Sequence, residues 1–317
     1  MSASVTTSGT RGGAGARTPL VSVVIPNYNC GRYLSAAVDS VLSQTYANLE
    51  VIVVDDGSTD QSESVLRSYE DRIRWLRQPN RGVSAARNLG IQESHGELVA
   101  FLDGDDLWRR DKLERQVPVF ENPSVGLVYC GLEQIDGAGR PLGTRTSEMR
   151  GRVLRQLALL RGPGVLGPGS SAVLRRECLD RVGLFDTELS NAEDWDLRRR
   201  IACHYEIEVA PEPLVLYRLH GRGAHRNVAA YERDQLRAFE RMFSDAAARE
   251  VHPLRRRCYA NLYVTLAGSW LHAGDWRKAA RWAARAVVTW PGCASYLAAF
   301  PARWLRRRLG AGADPAG

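Results

Sequence analysis

The chain has 317 residues, 44% of them hydrophobic and 25% charged, with a formal net charge of +7. That apolar fraction supports a packed globular core, and the lack of any run of eighteen apolar residues argues against a membrane-spanning helix. Six cysteines (Cys30, Cys130, Cys178, Cys203, Cys258 and Cys293) are scattered without a CxxC pair, which argues against a disulfide scaffold and for a reduced, cytosolic chain.

Residues 1–18 are rich in Ser, Thr, Gly and Ala, carry Arg11 and Arg17, and have no apolar segment. They are expected to form a disordered lead-in and not a secretory signal. The first strand is expected over Val21–Ile25, stopping at Pro26. Leu34, Val38, Val41 and Leu42 then fall at helical spacing between Gly31 and Thr45. Val51–Val54 predicts a second buried strand, running into Asp55-Asp56-Gly57-Ser58. Helix over 61–69, a short strand over 73–76 and helix over 83–93 follow, before a third buried strand at Leu98–Leu102. This alternation predicts an α/β fold: a mostly parallel sheet flanked by helices.

The third strand is the most informative. Five apolar residues run into Asp103-Gly104-Asp105-Asp106. Carboxylates at the end of a buried strand are costly to desolvate and are not core filler. In an open α/β sheet that end is where ligands sit, and two Asp separated by one residue can offer oxygen to a divalent cation. The plainer alternative is an acidic turn with Asp106 or Asp111 capping the next helix.

Farther on, residues 126–130 predict a strand and 137–143 a polar turn. Residues 162–169 hold too many Gly and Pro for regular structure, so a loop near the substrate is expected. Helices are expected over 175–182 and 194–202, with strand-like pieces at 207–210 and 214–219 and a flexible stretch at 220–227. From Ala229 the pattern is helical. Tyr263, Leu266, Ala267, Trp270, Gly274, Ala279, Ala286 and Pro291 match the spacing of one tetratricopeptide-like hairpin at about 260–291, and a single repeat does not stand alone. The expected organisation is a catalytic domain over 19–228, a helical C-terminal region over 229–309 and a disordered tail over 310–317. Arg255–Arg257, Arg277, Lys278, Arg303 and Arg306–Arg308 make that end basic, and with Trp290, Tyr296, Phe300 and Trp304 they suggest peripheral contact with the inner face of an anionic membrane. A final helix packing its aromatics on the hairpin is the alternative.

Val-Ile-Pro-Asn-Tyr-Asn (24–29), Val-Ile-Val-Val-Asp-Asp-Gly-Ser-Thr-Asp (51–60), Arg-Gly-Val-Ser-Ala-Ala-Arg-Asn (81–88) and Phe-Leu-Asp-Gly-Asp-Asp (101–106) stand in one order. Over residues 20 to 225 the chain thereby resembles the family 2 glycosyltransferases, and four ordered motifs are far more specific than one. The resemblance implies a GT-A fold and an inverting, metal-dependent transfer from a nucleotide-diphosphate sugar, expected to be a UDP-sugar, to a hydroxyl of a glycan, a lipid-linked saccharide or another acceptor. No nucleic acid partner is expected.

Within that resemblance, Pro26, Tyr28, Asp56, Arg81, Arg87 and Asp103 are expected at the donor, with Tyr28 stacking on the base and Asp56 accepting from it. Asp103, Asp105 and His220 are the expected ligands of Mg²⁺ or Mn²⁺, with Asp106 structural. Asp194 is the expected base and Glu193 its partner. An acidic first helical turn is the plainer alternative for Glu193 and Asp194, and a loop histidine such as His220 is more often simply exposed. Two other functions fit less well. Nucleotidyl transfer would usually bring a Gly-rich phosphate loop, absent between Val21 and Leu34, and a degenerate domain serving as an interaction protein would have no need of every acidic motif.

Overall fold

The computed structural model of the protein describes residues 18–160, 168–219 and 227–298. The expected lead-in, most of the loop at 162–169, His220 with the stretch after it, and the segment from residue 299 onward lie outside the described residues.

The first half alternates as expected: β1 (Val21–Asn27), α1 (Gly31–Leu42), β2 (Leu49–Asp55), α2 (Ser62–Arg67), β3 (Arg74–Arg77), α3 (Val83–Gln92) and β4 (Leu98–Phe101). The four strands pair in parallel in the order β3-β2-β1-β4. All seven residues of β1 and all four of β4 are buried, as strands covered on both faces must be. Leu34, Ala37, Val38 and Val41 form the stripe by which α1 packs on this core.

β1 does not stop at Pro26. In a parallel strand, N–H and C=O groups point alternately to the two neighbours, and Val24 O on the β4 side accepts Leu102 N. The missing Pro26 N–H would face that same side, beyond Val24↔Phe101 where pairing with β4 ends, so proline removes no ladder bond.

The second half is more mixed. It comprises β5 (Leu107–Trp108), α4 (Lys112–Gln116), β6 (Val125–Ile135), β7 (Pro141–Arg145), α5 (Leu154–Ala158), α6 (Pro168–Ser171), β8 (Val173–Arg175), α7 (Arg176–Val182), α8 (Glu193–Ala202) and β9 (Glu206–Arg218). The sheet continues from β4 through β8, β6 and β9 to β5, and β7 also pairs with β6, farther along it than β8. Pairings β4–β8, β8–β6, β6–β7 and β9–β5 are antiparallel, and β6–β9 is parallel. Three expectations need correction. β5, β7 and β8, two to five residues each, are too short to show a period, and β7 occupies residues assigned to the polar turn. Residues 168 and 169, the end of the expected loop, begin a helical turn that runs to Ser171. The pieces at 207–210 and 214–219 are one strand. Pro211 and Pro213 interrupt the sequence pattern but not the extended backbone, and the register on β6 slips from Cys130↔Ala210 to Gly131↔Pro213.

The C-terminal region begins with α9 (Val228–Ser244), then a 3₁₀ segment (Ala246–Leu254), α10 (Arg255–His272), α11 (Trp276–Thr289) and α12 (Ala294–Ala298). α10 and α11 form a hairpin through Gly274, whose φ of 83° suits glycine. Tyr263, Leu266, Ala267, Trp270, Ala279 and Ala286 are buried. Glu232 of α9 accepts from the indole N–H groups of both Trp270 and Trp282, and Trp195 of α8 stacks on Phe239 of α9 at 4.9 Å. This region is therefore packed against the catalytic half.

Candidate active site

Parallel pairing brings the C-terminal ends of β1, β2 and β4 to one edge, where the polar residues of the first half collect. Asn27, 1% exposed, donates to Asp55 Oδ1 (2.9 Å) and Ser58 Oγ (3.1 Å), tying the ends of β1 and β2 together. Asp55 is fully buried and also takes the Ser58 N–H, a structural role. Asp56 carries three donors from the chain: Gln78 Nε2 and Arg81 N on Oδ1, and Gly82 N on Oδ2 (2.7, 2.8 and 2.8 Å). It braces the turn into α3. Gly57 lies at φ 77°, with Asn80 N 2.9 Å from where a Cβ would stand, so only glycine allows the two turns to meet.

Of the expected donor contacts, Tyr28 is half exposed just beyond β1. Pro26 is buried within the strand. Arg81 is exposed, and its backbone N–H, not its guanidinium, is what the structure employs.

Arg87, 3% exposed on α3, joins the two halves of the site. Its Nη2 donates to Asp103 Oδ1 at 2.9 Å and its Nη1 to Asp194 Oδ1 at 3.0 Å, with Glu193 Oε1 3.6 Å away. Its ring neighbour is Phe185, 5.2 Å from the guanidinium carbon. Burial alone would lower its pKa, but Asp194, Asp103 and Glu193 raise it, so the guanidinium stays charged. Both Nη groups thus engage carboxylates of the chain. Asn88 beside it exchanges two hydrogen bonds with the backbone of Phe185 and fixes α3 on the segment leading to α8.

The three acids after β4 separate in role. Asp106 is 1% exposed and accepts from Ser170 Oγ and Arg218 N. Burial first, then the charges of Asp105 and Asp103, hold its carboxyl well above the ordinary range. It is structural, as expected. Asp103 and Asp105 are only half-buried. The Asp103 N–H donates to Ser170 Oγ, and a Cβ on Gly169 would stand 2.5 Å from Asp103 Oδ2. Arg218 completes the loop by donating to Asp105 O (2.8 Å) and Asp136 O (3.1 Å) over the Tyr33 ring. Negative charge accumulates here. Tyr217 and Cys30 are shifted up, each first by burial and then by these aspartates, Cys30 to about 12.

Glu193 and Asp194 open α8. Glu193 is 7% exposed, and burial first, then Asp194, push its carboxyl up to about 7. Its Oε2 has no partner among the described residues. Trp195 packs beside them, and its indole N–H donates to Leu157 O. Asp196 is bound by Arg199 and Arg200.

Sequence reasoning missed Asn27, Ser170, Arg218 as a loop clamp, and Asp234. Asp234 is a fully buried carboxylate on α9 that accepts from Ser190 and Asn191, the residues leading into α8. Its only sequence signal is an acid inside an otherwise amphipathic helix.

The sequence model of glycosyl transferase family 2 matches residues 22–183. An uncharacterised glycosyltransferase of Nostoc sp. is 36% identical over 68% of this chain and 69% of its own length. One of Rickettsia prowazekii is 34% identical over 64% of this chain and 65% of its own length. A Bacillus subtilis glycosyltransferase assigned by name to teichuronic acid biosynthesis is 40% identical over 39% of this chain and 51% of its own. The chain thus spans about two thirds or less of the relatives named here. Among solved structures, the mannosyltransferase PcManGT from Pyrobaculum calidifontis, in complex with GDP-Man and Mn²⁺, is similar at TM-score 0.62 and 25% identity, over 92% of this chain and 81% of that one. TarS of S. aureus (residues 1–349) in complex with UDP-GlcNAc shares the fold at TM-score 0.55 and 17% identity, over 83% of this chain and 90% of that one. The fold is GT-A.

Proposed function

The chain belongs to glycosyl transferase family 2, and on that premise we propose that it moves a sugar from a nucleotide-diphosphate sugar to an acceptor hydroxyl with inversion, assisted by a divalent cation. The observation that carries this is the pairing of one buried guanidinium with both Asp103 and Asp194. It holds a carboxylate of the donor edge and the candidate base in fixed relation, the positioning that a displacement between bound reactants requires.

In this scheme the acceptor O–H gives its proton to the Asp194 carboxylate as its oxygen attacks the anomeric carbon. The bond from that carbon to the diphosphate breaks, and the electron pair leaves with the nucleoside diphosphate. Glu193 keeps Oε2 buried and unpartnered among the described residues, in position to hold the acceptor. Arg87 orients Asp194. Tyr28 provides a face for the base, and Asp56 Oδ2, with one donor from the chain, retains room for an N–H of the base, which suits a UDP-sugar.

The residues present fit a cation. Asp103 and Asp105 are half-buried acids where negative charge accumulates, and Gly169, lacking a Cβ, lets the Asp103 carboxylate and Arg87 approach its backbone closely. Among the described residues no group of three or more His, Cys, Asp or Glu is arranged to hold a metal alone. The remaining ligands would come from the donor's phosphate oxygens and from His220. When bound, Mg²⁺ or Mn²⁺ would neutralise the departing diphosphate. That PcManGT was solved with GDP-Man and Mn²⁺ supports a metal-assisted nucleotide-sugar reaction and leaves the base open between uracil and guanine. The relative named for teichuronic acid biosynthesis supports a cell-surface polysaccharide, or its lipid-linked precursor, as acceptor.

A panel of UDP- and GDP-sugars tests this. Nucleoside diphosphate should be released from at least one donor in the presence of Mn²⁺ or Mg²⁺. Release should be abolished by chelation and by Asp105→Ala, and transfer by Asp194→Asn. Release that is indifferent to chelation and to Asp105→Ala would defeat the metal-assisted scheme.

A further inference from the structure

The net excess of positive charge in this chain lies at one end. Residues 255–317 hold eleven Lys and Arg and two acids, Asp275 and Asp314, a net charge of +9, whereas residues 1–254 carry −2. α10 and α11 contain no acid at all. Exposed apolar surface gathers in the same place. Of eight large hydrophobic side chains exposed among the described residues, five (Leu271, Trp276, Val288, Trp290 and Tyr296) belong to this hairpin and the segment after it.

The two features share one helix face. α11 buries Ala279, Trp282 and Ala286, a stripe at i, i+3 and i+7. At 3.6 residues per turn the opposite face carries Arg277, Ala280, Arg281, Ala284 and Val288, with Trp276 and Arg285 on its flanks. Trp276 is 65% and Val288 79% exposed. Arg277, Arg281 and Arg285 have no carboxylate partner among the described residues. Arg277 lies over the Trp276 ring, and Arg285 over the Tyr263 and Trp282 rings. Unpaired arginines interleaved with an exposed indole, an exposed valine and alanines are the composition of a surface that rests at a lipid–water boundary. The apolar groups enter the headgroup region while the guanidinium groups meet lipid phosphates. No helix among the described residues is long and apolar enough to cross a membrane, so contact here is lateral.

We propose that the outer face of α11, with Trp290 and Tyr296, docks this protein on an anionic lipid bilayer. The occupant is a membrane and not a nucleic acid because the apolar side chains gain nothing on a phosphodiester backbone, whereas in a bilayer they supply the affinity that a few charges lack. Docking would bring the active site to acceptors held at a lipid surface. It rests on charge and exposure and not on the proposed chemistry.

The test is co-sedimentation of the full chain with vesicles of phosphatidylcholine alone or with about 30% phosphatidylglycerol. The chain should partition onto the anionic vesicles only, and less so as salt is raised. Arg277→Glu/Arg281→Glu should weaken partitioning about thirty-fold, and Trp276→Ser/Val288→Ser about tenfold or more. Donor hydrolysis without vesicles should be unchanged in both, which reports folding and separates failure here from failure of the proposed reaction. Equal partitioning of native chain and both variants, binding to neutral vesicles as strong as to anionic ones, or an effect of the charge reversals without one of the apolar substitutions overturns the proposal. The last outcome would mark the face as a polyanion site.

Discussion

The carboxylate of Asp234 holds Ser190 twice, by its backbone N–H at 2.7 Å and its hydroxyl at 2.9 Å, and takes the Asn191 N–H at 3.0 Å through the same oxygen. These residues enter the helix that begins with Glu193 and Asp194, so the C-terminal region sets where the candidate base stands. Asp234→Ala strands two backbone N–H groups and should cost about 2–3 kcal/mol of stability. At a temperature where the variant stays folded, transfer should fall about tenfold or more while donor hydrolysis and donor KM hold. Equal loss of transfer and hydrolysis would make the contact purely structural.

Arg87 meets three carboxylates through a planar fork, which a lysine ammonium cannot reproduce. Arg87→Lys should keep the fold but lower kcat about a hundredfold with little change in donor KM. Arg87→Ala leaves three acids facing one another and should destabilise by about 3–5 kcal/mol. Steady-state kinetics and thermal melting of the two variants check this, and a lysine variant with native kcat would remove the positioning role.

Gly169→Ala would place a methyl group 2.5 Å from Asp103 Oδ2 and 2.9 Å from Arg87 Nη2. The expected result is a rise in the Mn²⁺ or Mg²⁺ concentration needed for half-maximal donor hydrolysis, about tenfold, with a small change in melting temperature. A metal titration reads it directly.

Glu193, pushed up to about 7 in the fold, is ionised near 4.5 in the unfolded chain. The folded state therefore binds the extra proton, and this residue's destabilising effect is absent below about pH 4.5, grows up to about pH 7 and is constant above. Glu193→Gln should remove that slope and stabilise the protein at pH 8 by about 2 kcal/mol. Denaturation at pH 5 and pH 8 compares the two, and parallel pH profiles for native chain and variant would count against it.

Much of the fold was legible because it is periodic. The buried runs of β1, β2 and β4 and the stripes of α1 and α3 carry their partners' positions in their own spacing. The strand-end acids were legible for a different reason, since charge at the end of an apolar run has few explanations. The short strands β5, β7 and β8 were not, because two to five residues show no period, and Pro211 and Pro213 hid the continuity of β9. The donor edge was read as a set of ligand contacts. In the structure Pro26 is buried within β1, Arg81 is engaged through its backbone, and Asp56 first of all holds a turn. His220, the expected third metal ligand, lies outside the described residues.

The sequence by itself determined an α/β chain with acids at three strand ends, four family motifs in order and a basic helical end. Each of these is written in residues close together along the chain. Only the tertiary structure decided the partners: Arg87 with Asp194, 107 residues away; Ser170 with Asp106, 64 away; Asp234 with Ser190, 44 away. A hydrogen bond across such distances leaves no spacing to detect. Its donor and acceptor are polar residues like many others until the sheet and the helices behind it bring them within 3 Å.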